Sequence, residues 1–358
     1  MPDGAADNAT TAEPTRYGFE FRGTGSEYFR IWIVNLALTI LTLGVFSAWA
    51  KVRTLRYFRG NTFIAGHAFD YHASPLRILI GRIIAVSLFF GYEISAAVEP
   101  IYASAWLLVI GVALPWLVNA SLRFNARYTS YRNVRFYFHG RYFEALVAYV
   151  LWPIGGFATL GLLMPAARRA RDFFYTNNHT FGGRPFHTQF SAGAIYLIYF
   201  IGVMTTFVTL GLAFGGAWYG GSRVLKYLHL TVNKSLITGL VIGFYAFVYL
   251  VIVSIAPAIH TLIVNLSVNH TTLDGKHRMR SRMWAPAVAW ITVTNALLTL
   301  LTLGFYYPWA KVRLARYEAS KLSLLMDGDI DAYASDVSGT QSAVGEEIGS
   351  FFSFDFGL

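Results

Sequence analysis

Leu41-Thr42-Leu43-Gly44-Val45-Phe46-Ser47-Ala48-Trp49-Ala50-Lys51-Val52-Arg53-Thr54-Leu55-Arg56-Tyr57 returns near the far end of the chain as Leu301-Thr302-Leu303-Gly304-Phe305-Tyr306-Tyr307-Pro308-Trp309-Ala310-Lys311-Val312-Arg313-Leu314-Ala315-Arg316-Tyr317. In both copies an apolar run meets a tryptophan and passes at once into a basic segment. That is how a chain leaves hydrocarbon for the headgroup layer, where aromatic rings and cations are both favoured. Outward from these copies, apolar runs recur at 31–50, 76–98, 101–119, 143–166, 192–218, 236–258 and 284–309. Each is long enough to cross a ~30 Å hydrocarbon core as a helix. Of the 358 residues 55% are hydrophobic and only 13% charged, against roughly 25% charged in a soluble domain. The expected fold is mainly α: a polytopic helical integral membrane protein with internal repeats, seven apolar helical segments and short β-hairpins in its basic loops.

The hairpins follow from spacing. Tyr17 to Gly23 alternates like a strand, and Asn61 to Tyr71 reads as strand, turn, strand around Ala65-Gly66. Counted from Ala48, Pro115, Pro165 and Pro257, residues Gly66, Asn133, Gly183 and Gly275 stand at one phase. All four tolerate positive φ, as tight hairpin turns require. The chain divides into a disordered tail over 1–16 and a repeat-built membrane domain over 17–325. The repeats run about 17–135 and 136–280, with a partial copy over 281–325, and an acidic, aromatic-ended tail fills 326–358. That tail could pair with the basic segments, and its end, Phe351 to Leu358, reads as a docking peptide.

Charge bears on topology. Runs one, four and seven carry the Thr-Leu-Gly element (Thr42, Thr159, Thr302). With Arg77 and Arg82 set aside because they lie within run two, the other Lys and Arg divide 16 to 11 if all seven runs cross; if those three dip and return, they divide 24 to 3, with only Arg223, Lys226 and Lys234 on the far side. Positive residues favour the cytoplasmic face, so the dipping arrangement, with both termini cytoplasmic, fits better. Length argues the other way, since a run of about 20 apolar residues suits a plain span. Seven spans would make an inverted repeat of the transporter type.

Phe21-Arg22-Gly23-Thr24-Gly25, Asn35, Leu38-Thr39, Leu41-Thr42-Leu43-Gly44, Trp49-Ala50-Lys51 and Arg56-Tyr57 resemble the YjgN-like family of bacterial inner-membrane proteins, defined mainly as a domain of unknown function. The likeness extends over nearly the whole chain, including the ending Gly345-Glu346-Glu347 to Asp355-Phe356-Gly357-Leu358. It implies a multi-pass protein of the inner membrane and brings no catalytic residues with it.

Asn35, Thr39 and Thr42 share one helical face, and Asn295, Thr299 and Thr302 repeat the stripe. They are candidates for a polar lining, against plain helix–helix hydrogen bonding. Glu93 joins them as an ionisable group in an apolar run; Arg77 and Arg82 can snorkel to the basic side. Trp49, Lys51, Arg53, Arg56, Arg123, Arg127, Arg168, Arg169, Arg171, Trp309, Lys311, Arg313 and Arg316 are candidates for binding anionic headgroups. His260 and Asn265 are weaker candidates. The net charge of +10 lies beside apolar runs and among aromatics, which suits a membrane surface and not nucleic acid. No cysteine is present, excluding disulfides and thiolate chemistry. The histidines show no metal spacing, and no nucleotide loop or hydrolase elbow occurs. No cofactor, metal or enzyme activity is expected, apart from a remote intramembrane hydrolase. The sequence specifies no protein partner or homo-oligomer. Two functions remain: a channel- or transporter-like protein with a cavity between repeats, or a non-transporting scaffold that binds anionic lipid or a protein through its basic hairpin layer.

Overall fold

The computed structural model describes residues 14–227 and 234–349. The N-terminal tail up to residue 13 and the aromatic end Phe351 to Leu358 lie outside the described residues. The organising feature is a closed barrel of ten strands in the order β1-β10-β9-β8-β7-β6-β5-β4-β3-β2. The strands are β1 (Thr15–Phe21), β2 (Thr62–Ile64), β3 (His67–Tyr71), β4 (Thr129–Tyr131), β5 (Val134–Phe138), β6 (His179–Phe181), β7 (Arg184–Thr188), β8 (Thr271–Leu273), β9 (His277–Ser281) and β10 (Leu322–Met326). Every neighbouring pair is antiparallel, and β1 closes the ring by pairing with both β10 and β2. The four hairpins expected from the sequence are joined here, with β1 and β10, in one barrel. Its closing strand, Leu322–Met326, carries no turn signature of its own.

Helical arms fill the other connections: α1 (Gly25–Leu41) and α2 (Ser47–Gly60), α3 (Pro75–Val98) and α4 (Pro100–Arg127), and α5 (Tyr142–Leu146), which continues through a π-helical turn at Val147–Leu151 into α6 (Trp152–Ala158) and then α7 (Met164–Asn177). After these come α8 (Ala192–Tyr227) and α9 (Lys234–Asn269), α10 (Ala285–Leu301) and α11 (Tyr307–Lys321), and finally α12 (Ile330–Gly349). The architecture is therefore five units of strand, two helical arms and strand, whose two strands pair with each other. Since neighbours are antiparallel, all four hairpin turns stand at one end of the barrel and all five helical pairs leave from the other. Adjacent arms pack in order and α11 returns to α1, so the helices also form a ring.

The turns have the predicted chemistry. Ala65-Gly66, Arg132-Asn133 and Gly182-Gly183 hold positive φ at both residues, as do Asp274 and Gly275 in the fourth, where Lys276 adds a third residue to the loop. Successive positive φ values match the twist of the flanking strands.

The apolar segments differ in length, and Tyr142–Ala158 and Ala285–Leu301 are shorter apolar helices. Among the described residues four helices are long and apolar enough to cross a membrane: Pro75–Val98, Pro100–Arg127, Ala192–Gly221 and Thr238–Asn269. The first, fourth and seventh runs break at Thr-Leu-Gly. At that point Leu43, Leu160 and Leu303 take φ of 49°, 51° and 50°, and Gly44, Gly161 and Gly304 take 94°, 94° and 95°. The threonine hydroxyl donates to the carbonyl four residues back (Thr42 to Leu38, 2.7 Å; Thr302 to Leu298, 2.7 Å) and accepts the amide of Phe46 or Tyr306 at 2.9 Å. Gly44 N–H closes onto Thr39 O at 2.8 Å and Gly304 N–H onto Thr299 O at 2.7 Å. A helix can reverse here because the turn satisfies backbone groups that would otherwise be stranded in an apolar setting. The three leucines at the tips are 96%, 98% and 90% exposed.

The barrel core is apolar. Phe19, Phe69, Phe136, Phe186 and Met279, one from each odd-numbered strand, form its middle ring, with Ile64, Tyr131, Phe181, Leu273 and Leu324 from the even strands beside them. Beyond β10, α12 lies across the turn end and buries Ile330, Ala334 and Val337. Only glycine fits at 182, because an added Cβ would strike Val337 of α12 and Val134. Acidic residues of this segment pair with residues at the turn end of the barrel. Tyr17 OH donates to Asp329 at 3.2 Å, Arg132 meets Asp331, and Arg184 meets Asp336 at 3.3 Å.

Candidate functional site

The basic residues separate into two populations once the units are compared. At every junction a side chain of the second arm donates to a carbonyl at the entry of the next unit: Arg56 to Tyr71 (3.4 Å), Arg123 to Gly140 (2.8 Å), Arg169 to Phe190 (3.0 Å), Asn265 to Met283 (2.7 Å) and Arg316 to Gly23 (2.9 Å). These groups clamp the ring of units. Arg53 and Arg313 instead reach back within their own unit to Asn35 and Asn295, each at 3.2 Å, and Arg313 also donates to Thr294 at 2.9 Å. Both asparagines are buried between helices, and Thr39, Thr42, Thr299 and Thr302 belong to the reversals described above. Glu93 is exposed near the far end of α3 and joins no constellation with them.

Other candidates are spread around the ring. Trp49 stacks on Phe46 with 6.0 Å between centroids, and Trp309 packs on Phe29 at 5.0 Å. Lys311 lies over the Phe58 and Tyr307 rings, and Arg127 is exposed at the end of α4. Arg168 pairs with Asp172 at 2.9 Å. Arg171 Nε and Asp172 Oδ2 are buried beside them without a hydrogen-bond partner. Burial pushes the Asp172 carboxyl up from its ordinary range, and Arg168 opposes this. Asp172 escaped the sequence reading because an acid within a basic amphipathic helix reads as a solvated i,i+4 partner.

Three further cations converge on one place. Between α2, α3 and α4 a pocket of ≈ 280 Å³ brings together Lys51, Arg77 and Arg82, with Ser121 and Asn125 on one side and Ile78, Trp116 and Phe124 among its apolar walls. No carboxylate lines it. Arg82 donates to Ser47 Oγ, and Arg77 lies 5.8 Å from the Tyr128 ring centre. Burial, and after it the nearby Arg82 charge, hold the Lys51 ammonium below its ordinary pKa. The five units provide an internal comparison. At the same distance beyond the last barrel residue, Arg77 and Arg82 are replaced by Glu27 and Trp32, Glu144 and Tyr149, Ala194 and Tyr199, and Ala287 and Thr292. The cation trio belongs to this junction alone among the five.

The sequence set Arg77 and Arg82 aside as snorkelling cations, because spacing on α3 shows them near one another but not Lys51 of α2. A pocket of three cations with apolar walls suits one oxyanion joined to a hydrocarbon body.

A second cavity, ≈ 250 Å³, lies inside the barrel between its middle ring and α12, and its lining is wholly apolar. Among the described residues no group of histidine and acidic side chains is arranged to hold a metal ion.

Comparison with known proteins follows the same outline. The inner membrane protein YjgN of Escherichia coli O157:H7 is 23% identical, covering 88% of this chain and 89% of its own length. The inner membrane protein YjgN of Salmonella typhimurium is 22% identical over 87% and 89%. That of Escherichia coli K12 is 32% identical over a shorter stretch, 34% of this chain and 31% of its own. No solved structure matches. A bacterial family of unknown function, DUF898, matches residues 16–351, and the chain belongs to that family.

Proposed function

We propose that this protein is a membrane-embedded scaffold that holds an anionic lipid by its headgroup in the Lys51–Arg77–Arg82 pocket. The observation that carries the reading is the convergence of three cations, without a lining acid, on a cavity whose other walls are hydrocarbon. Arg82 lies five residues beyond Arg77, and Arg77 stands in the first turn of α3, next to the barrel. At ~1.5 Å per residue both stand within the headgroup layer if the barrel faces the cytoplasm. The other candidate cations, including Arg127, Lys311 and the Arg168–Arg171 pair, then form the rim that meets the same layer.

In this reading four helices span the inner membrane, three Thr-Leu-Gly hairpins dip into it, and the barrel with both termini stands in the cytoplasm. Two features support that orientation: the 24-to-3 division of Lys and Arg, and a topology that returns every helical pair to one end of one barrel. A conducting path along the barrel axis has less support. The cavity there is apolar and stoppered by α12, while Asn35 and Asn295 are engaged between helices.

Native mass spectrometry of detergent-released protein, titrated with phosphatidylglycerol and phosphatidylcholine, tests the reading. The anionic lipid should be retained preferentially. Each of Lys51→Gln, Arg77→Gln and Arg82→Gln should weaken it roughly fivefold, from ~1 kcal/mol per cation near the surface. Equal retention of the two lipids by the unaltered protein would rule the proposal out.

A further inference from the structure

We propose that the barrel is a binding chamber for an uncharged, hydrocarbon-like molecule, with α12 as its removable stopper. This inference is independent of the headgroup pocket, which lies in the helical layer. The chamber has a roof and a floor of different kinds. Its roof is the ring of Phe19, Phe69, Phe136, Phe186 and Met279, contributed by five separate units. Its floor is Ile330, Tyr333 and Ala334 of α12. Between them ≈ 250 Å³ exposes no polar surface: of its two tyrosines, Tyr131 donates its hydroxyl to Ile64 O at 2.9 Å, and the Tyr333 hydroxyl is buried without a hydrogen-bond partner. A charged or strongly hydrated ligand would find no partner there, whereas an aliphatic chain or aromatic ring would meet ring faces and thioether groups throughout. A space of this size in a packed core is larger than ordinary packing defects.

The way in is also defined. Each strand is hydrogen-bonded to two neighbours around the whole barrel, so the wall has no side entrance. At the turn end α12 follows β10 through Asp327-Gly328, where Gly328 has a φ of 99°. Its polar hold on the rim consists largely of exposed contacts: Tyr17 with Asp329, Arg132 with Asp331 and Arg184 with Asp336. Ion pairs of this kind hold weakly and loosen with salt. The polar part of the stopper's hold thus opens more easily than the barrel wall, and its apolar part rests on three buried side chains, Ile330, Ala334 and Val337.

The chain carries six methionines, and two of them, Met279 and Met326, line the chamber. The test uses full-length protein in nanodiscs with ¹³C-methyl methionine, assigned through Met279→Leu and Met326→Leu. Two probes separate the sources of a ligand: toluene added from water, and a phospholipid spin-labelled at its acyl end. Saturable shifts of the Met279 and Met326 methyls with toluene support a free hydrophobe as occupant. Selective broadening of those two by the spin label supports a lipid tail. Ala334→Phe, which fills the floor, should abolish either response. Asp331→Asn with Asp336→Asn should speed toluene exchange several-fold; an unchanged exchange rate overturns the role of α12. If neither probe perturbs these methyls while Met204 on α8 responds, the chamber is a packing void and the proposal fails. That result stands on the unaltered protein, whatever the variants do.

Discussion

Arg53 on α2 donates from Nη1 to the side-chain oxygen of Asn35 on α1 at 3.2 Å, and Arg313 repeats the bond to Asn295 at 3.2 Å in the last unit. Asn295 also donates from Nδ2 to Ala310 O at 3.1 Å. The two stripes that looked like a polar lining are therefore used to fasten helical hairpins. Replacing Asn295 by Ala removes both bonds and leaves the half-buried Arg313 with Thr294 as its remaining partner in α10, so it should destabilise the fold by about 1–3 kcal/mol. Thermal unfolding in detergent measures this. An Asn295→Ala protein that melts unchanged would return the residue to the list of pathway candidates.

Gly44, Gly161 and Gly304 hold φ near 94° with open space around the position a Cβ would take. Substitution by Ala therefore tests backbone strain without steric clash. Each single change should cost about 1–3 kcal/mol, with little difference among the three, since the φ values of the Leu-Gly pair agree closely in all three turns. Melting temperatures of the three variants check the equivalence.

His277 is buried at the floor of the barrel, where its Nδ1 accepts the Asp327 amide at 3.2 Å and its ring meets Tyr333 with 4.7 Å between centroids. Burial lowers its pKa below the ordinary 6.5, and Lys276 adds to this, while Asp274 and Asp327 oppose it. A base whose folded pKa is depressed is neutral in both states above pH 6.5. As pH falls through that value the unfolded form takes up the proton first, so stability is lost as pH drops. Protonation at Nδ1 also removes the acceptor for Asp327. Protection of the α12 amides, taken relative to the intrinsic exchange rate at each pH, should fall between pH 7 and pH 5, and His277→Gln should flatten that profile.

Reporter fusions place the loops. Fusions after residues 60, 130, 180, 275 and 330 should share one side, with only 99 and 230 opposite, because every helical pair returns to the same barrel end. Finding 180 and 275 opposite to 60 and 130 would contradict the hairpin reading of the Thr-Leu-Gly runs.

What the chain states locally is legible in its residues. The membrane class follows from apolar runs ending in Trp49 and Trp309. The turns follow from Gly66, Asn133, Gly183 and Gly275, because positive φ is a requirement on one or two residues at a time. The charge count favoured reversal at Thr-Leu-Gly over a plain span, yet apolar length alone counted seven segments where four are long enough to cross. A run of hydrophobic residues looks the same whether it continues or turns back; the difference lies in hydrogen bonds made by Thr42 and Gly44.

Tertiary structure alone decided the rest. Hairpins about 50 to 90 residues apart close into one barrel only because five units each return to their starting end. Leu322–Met326 becomes its tenth strand because β1 and β9 leave edges that must be paired. The same closure brings Lys51 to Arg77 and Arg82, turns some arginines into junction clamps, and sets α12 over an apolar chamber. Local sequence fixes backbone angles and polarity; which side chains share a cavity is set by contacts between units, and those are specified by no single stretch of the chain.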